Sequence, residues 1–262
     1  MTLPEALLGS DPAAAATVLA LVLARTLPLA FVAPWLGLRG TALFARVAAA
    51  LVIALALAPL ARAVSPALPE GVAPLALALV REALVGAAFA IALSAPLYAL
   101  LWTGSLIDRW RGSPPDATAA SAGSPLGQLH LGAGVVLFVL LGGHRLALAA
   151  FAGGLVDLPA GAPASAVSLG QLALGAMRIV ADALVLSVAF LAPAAIAFVL
   201  VELAFGLAAR VAPAVSGWME AMPLRAALGV ALALFGLSAL VGRLGPVFAR
   251  SIETATDLLR AP

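Results

Sequence analysis

Eight ionisable side chains sit in or beside stretches of sequence that are otherwise apolar: Arg25, Arg81, Glu82, His144, Arg145, Arg178, Asp182 and Glu202. In the middle of a membrane helix such a group costs roughly 2.5–3.5 kcal/mol on insertion scales, so each needs a partner or a function. Arg178 and Asp182 are spaced i,i+4, which puts them on one helix face and predicts an ion pair. Arg81 and Glu82 are neighbours and diverge by about 100° around a helix. They are expected to find partners elsewhere, on another helix or another subunit. Arg25 interrupts the first apolar stretch, and Glu202 and Arg210 follow the last long run before the C-terminal part. These seven positions (Arg25, Arg81, Glu82, Arg178, Asp182, Glu202 and Arg210) are the candidate intramembrane or intersubunit charges.

Catalytic chemistry finds no support. His130 and His144 are the only histidines, and with no cysteine and no carboxylate close by in sequence they do not make a metal site. There is no Gly-x-Ser-x-Gly elbow and no His-Glu-x-x-His pair, and a chain without lysine has no Walker lysine. No enzyme activity, metal or cofactor is expected.

The elements that must carry these groups follow from composition. Of 262 residues 64% are hydrophobic and 10% charged, against roughly 45–50% and about 25% in an average soluble domain. An ordinary soluble fold is thereby excluded. All fourteen cations are arginine, yet the net charge is only +2. The densest basic cluster is Arg109 with Arg111, too little for a nucleic-acid interface.

Charge-free runs cover residues 83–107, 183–201 and 226–242, each near the length a bilayer requires. The pattern predicts an all-α polytopic membrane protein of about six helical segments, near 13–34, 44–64, 73–107, 129–155, 166–209 and 220–243. Pro96 and Pro193 are expected to bend or break the third and fifth. The whole chain, 1–262, reads as one integral-membrane domain with a polar loop near 108–128.

The start of that loop, Gly104–Ser–Leu–Ile–Asp–Arg–Trp–Arg–Gly112, sets Asp108, Arg109 and Arg111 around Trp110. Trp and Arg at the end of an apolar run suit an interfacial anchor, and equally a channel-facing segment. Gly104, Asp108, Arg109, Trp110, Arg111 and Gly112 are the candidate gate or plug residues. A secondary transporter, with the membrane charges coupling solute to protons, is the rival from another class. It usually shows two corresponding halves, and no such repeat is visible here.

Several stretches resemble the FliR/SctT family of type III secretion export-gate subunits. They are Arg25 with Pro34–Trp35–Leu36–Gly37, then Arg46 and Pro59, Glu82 with Gly86, and Gly104 with Ile107–Asp108 and Gly112. Ser124–Pro125–Leu126–Gly127, Gly142–Gly143–His144, Leu158–Pro159–Ala160–Gly161, Pro193, Gly206, Arg210, Pro213 and Met222–Pro223–Leu224–Arg225 continue the order. Ala214 and Ser216–Gly217–Trp218–Met219 depart from it.

The resemblance implies a non-enzymatic subunit of a gate in the bacterial inner membrane. SctR-, SctS- and SctU-like proteins, or their flagellar equivalents, would be its partners, and unfolded secreted proteins its cargo. Asp108–Arg109–Trp110–Arg111–Gly112 leans toward the injectisome version, whereas Gly143–His144 looks more flagellar.

Overall fold

The structure, a computed structural model, describes residues 11–38, 40–65, 68–110, 124–163, 169–211 and 224–260. Arg111, Gly112 and the rest of the loop to residue 123 lie outside the described residues, as does the stretch 212–223 with its Pro213 and Met222–Pro223.

Every regular element among the described residues is helical. The α-helices are α1 (Pro12–Val32), α2 (Leu43–Val64), α3 (Val72–Trp110), α4 (Pro125–Leu140), α5 (Gly143–Asp157), α6 (Leu169–Val211) and α7 (Leu224–Arg260). A single 3-10 turn, Pro34–Leu36, follows α1 and ends at Gly37 in the left-handed region. Asp11 caps α1 by accepting from the backbone N–H groups of Ala13 and Ala14, and Pro12 follows at the first position, where its missing N–H costs nothing.

α1, α2, α3 and α6 are long and apolar enough to cross a membrane, and α4 with α5 would make a fifth span if the two count as one. At 1.5 Å per residue the 39 residues of α3 amount to about 58 Å of helix. That is well beyond the roughly 30 Å of a hydrocarbon core.

Three expectations are corrected. The segment 129–155 is two helices. Leu140 ends the first, and Gly142, at φ +74°, sits at the cap just before the second starts at Gly143. A positive φ ends an α-helix, and glycine adopts it without a Cβ clash. Of the expected bend or break at Pro96 and Pro193, the break does not occur, since α3 and α6 run through both positions. A proline removes one backbone hydrogen bond, and a long helix packed among others continues past that loss. The C-terminal helix also runs on to Arg260, past Arg243 and through Pro246, rather than stopping near 243.

The chain divides into two compact units of interleaved segments. The first comprises Met1–Ala95, Gly142–Val180 and Phe248–Pro262. Its core gathers Val18, Leu21 and Val22 of α1, Ala54 and Ala61 of α2, Ala78 of α3, and Leu155 and Ala160 from α5 and the turn after it. Ala50, Ala54, Ala58 and Ala61 are the buried residues of α2, and such small side chains let helix backbones approach closely. Thr26 uses that proximity, donating to the Ala50 carbonyl at 3.2 Å. Phe89 meets Phe151 edge to face, with centroids 5.1 Å apart.

The second unit comprises Pro96–Leu141 and Ala181–Val247. Ile107, Leu126, Leu191, Ala194 and Phe198 form its core cluster, and Thr103 donates to the Ser187 carbonyl at 3.1 Å.

Candidate functional site

In the first unit the chain concentrates charge where water does not reach. Glu82 is 0% exposed and Arg25 1%. Arg25 Nε donates to Glu82 Oε2 at 2.6 Å, and its Nη2 lies 2.5 Å from the same oxygen. The other carboxylate oxygen, Oε1, accepts from the Gly161 backbone N–H at 3.1 Å and from Arg81 Nη2 at 3.2 Å. Arg25 Nη1 also donates to the carbonyls of Leu158, at 2.9 Å, and Gly154, at 3.3 Å.

Those two carbonyls belong to the C-terminal end of α5, whose last turn contains no basic residue of its own. Arg25 therefore supplies, from another helix, the cation that the negative end of α5 attracts. One turn after Glu82, a Cβ on Gly86 would collide with the Arg25 carbonyl oxygen. This glycine is what allows α1 and α3 to approach closely enough for the ion pair.

This geometry changes two expectations. Glu82 does find its main partner on another helix. Yet Arg81 also reaches it, although adjacent side chains diverge, because a guanidinium on a long flexible stem can fold back along the helix. The expected Arg178–Asp182 pair, by contrast, is not among the contacts of the described residues: both side chains are exposed on α6. Neither side chain is enclosed by neighbouring helices, so nothing in the packing forces the two into one geometry.

In the second unit Asp108 is 3% exposed and faces the start of α4. Its Oδ2 accepts from the Leu126 backbone N–H at 2.8 Å and from the Ser124 hydroxyl. Ser124 in turn caps α4 by accepting from Gly127 N–H at 3.0 Å. A Cβ on Gly104 would collide with the Leu126 carbonyl oxygen, and one on Gly127 would sit 2.5 Å from Ser105 Oγ. The helix ends meet backbone to backbone. His130, one turn into α4, is buried with Nδ1 2.8 Å from the Leu126 carbonyl.

Asp108 thus separates from its sequence neighbours. Arg109 and Trp110 are exposed, and Trp110 stands edge-on to Phe198 at 6.0 Å. Trp110, Phe198, Glu202, Gly206 and Arg210 line a shallow groove of about 650 Å³, which brings three of the candidate residues to one surface. No partner for Arg25 could be assigned from the sequence. The signal that would have found it is the combination of one arginine and one glutamate in separate apolar helices with a Leu-Pro-x-Gly turn.

Long apolar helices that hide ion pairs inside the helical bundle define a multi-pass membrane protein. Over residues 16–251 the sequence matches the family described as bacterial export proteins, family 1, and the chain belongs to that family. Its role is thereby in type III or flagellar protein export, in association with other components of the export apparatus. No curated protein matches the sequence.

Proposed function

We propose that this chain is a non-enzymatic subunit of the type III export gate in the bacterial inner membrane. Together with SctR-, SctS- and SctU-like subunits, or their flagellar equivalents, it helps form the channel for unfolded proteins. The observation that carries this reading is the family match along residues 16–251.

The distribution of charge supports it. Arg25, Arg81 and Glu82 meet one another inside the chain, whereas Arg178, Asp182, Glu202 and Arg210 are exposed on an otherwise apolar α6. Exposed charge on such a helix fits a surface covered by further protein better than one covered by lipid tails. The segment from 108 to 128 is the part proposed to reach into the channel, and the Asp108–Arg109–Trp110–Arg111–Gly112 pattern favours the injectisome version.

The test is a mild-detergent pull-down of the tagged chain from its native membrane, followed by mass spectrometry. Recovery of SctR-, SctS- or flagellar-type subunits is the expected result and separates the two systems. A monodisperse chain that moves solute alone would instead support a secondary transporter.

A further inference from the structure

Arg81 is left with donors to spare. Two guanidiniums share the single carboxylate of Glu82, so this buried cluster holds more positive charge than negative. Arg25 is compensated twice, by its close pair with Glu82 and by the carbonyls at the negative end of α5. Arg81 makes only the 3.2 Å contact from Nη2 to Glu82 Oε1. Its Nε–H is buried without an acceptor, and the residue as a whole is 6% exposed. A buried donor left unmet keeps its desolvation cost, and that cost is larger when the group is charged.

The helix surface beside Arg81 is bare. Ala73, Leu77, Val80 and Leu84 follow one another along α3 and are all exposed, Leu77 by 62% and Val80 by 58%. Their alternating steps of four and three residues are the a/d spacing by which two helices pack along a seam. Arg81 comes directly after Val80, at the flanking e position from which charges pair across such a seam. A lipid phosphate suits the place poorly. Arg81 stands about 14 Å along α3 from Val72, within largely apolar sequence.

We propose that the 73–84 face of α3 receives a helix of another membrane subunit, and that this helix carries an Asp or Glu whose carboxylate takes the remaining donors of Arg81. The occupant is an apolar helix with an acidic residue facing the middle of the seam. Two guanidiniums then meet two carboxylates, one from each chain, and the excess charge is gone. This rests on the reading of the chain as one subunit of a larger membrane assembly.

The experiment uses the assembled complex in its native membrane. A photo-reactive phenylalanine analogue replaces Val80 or Leu84 in separate variants, and mass spectrometry identifies what each becomes joined to. Both are expected to join one apolar segment of another subunit, with an Asp or Glu within a helical turn of the joined residue. That carboxylate is then changed to its amide, alone and together with Arg81→Gln, and retention of the partner is measured. Each single change should weaken association by about thirtyfold, and the double change no further, because the two groups act as one pair.

Links to lipid alone, or to a segment without a carboxylate, overturn the proposal. Additive losses in the double variant overturn it too, since Arg81 would then act only through Glu82. Should Arg81→Gln fail to fold, the partner's amide variant decides, because it leaves this chain unaltered; undiminished retention then refutes the pair. A parent chain that retains no other subunit defeats both this inference and the subunit reading, whereas a parent that retains partners while both probes meet only lipid defeats this inference alone.

Discussion

Glu82 and Asp108 lie on the same helix, are both buried, and are held in different ways. Glu82 meets two guanidiniums and one backbone N–H, from residues as far as 57 and 79 positions away in sequence. The donors described for Asp108 are a hydroxyl and a backbone N–H within 18 positions. The first arrangement joins α1, α3 and the end of α5 into one unit; the second splices one helix end to the next helix start. A buried ion pair that loses one member leaves the other charged and stranded. A helix cap that loses its acceptor leaves only a neutral donor unmet. Equal burial thus hides unequal consequences.

The sharpest way to break this comparison is Glu82→Ala. It strands Arg25 and Arg81 and is expected to cost about 3–5 kcal/mol, read as a large drop in the unfolding midpoint of the purified chain. Replacing both members, Arg25→Leu with Glu82→Leu, should recover much of that loss, since no unpaired charge remains. A Glu82→Ala chain as stable as Asp108→Ala would end the distinction drawn here.

Next in size is Gly86→Ala, expected to cost about 1–3 kcal/mol because the new methyl meets the Arg25 backbone rather than a movable side chain. Gly132→Ala is its control, a helical glycine with nothing within 4 Å of the added Cβ. The control should be neutral or slightly stabilising by helix propensity, and equal losses at both sites would refute the close-approach argument.

The smallest expected effect is that of Asp108→Ala on stability. About 0.5–2 kcal/mol is lost with the contact to α4, in the range of a helix N-cap. Faster hydrogen exchange at the Leu126 amide is the accompanying signature, and unchanged exchange would show that the carboxylate does not hold that N–H.

Much of the fold was legible in the residues. The apolar pattern, even where charges interrupt it, marked α1, α2, α3 and α6 within a few positions, because a membrane helix must be largely apolar along a whole bilayer thickness. The break at Gly142 was also written in the sequence as a Gly-Gly pair, but the apolar run on either side hid it. Proline did not mark helix ends: at positions 96 and 193 it stands inside continuous helix.

The site was legible only in pieces. Arg25, Glu82 with Gly86, and the Leu158–Gly161 turn read as three separate stretches, and Gly104 with Asp108 and Ser124–Gly127 as two more. Spacing also favoured the wrong pair. Arg178 and Asp182 satisfy the i,i+4 rule and are exposed without a mutual bond, while Arg25 and Glu82, 57 residues apart, make the ion pair.

By itself, then, the sequence determined the solvent this chain requires, the helical state of its backbone and the family to which it belongs. Those depend on composition and on short-range order, which one-dimensional patterns record directly. Only the tertiary structure decided which buried charges meet, which carboxylate faces inward, and which glycines are required for close approach. Desolvation makes an unpaired charge so costly that the partner is fixed by whatever helix packs nearby, and no local spacing encodes that neighbour.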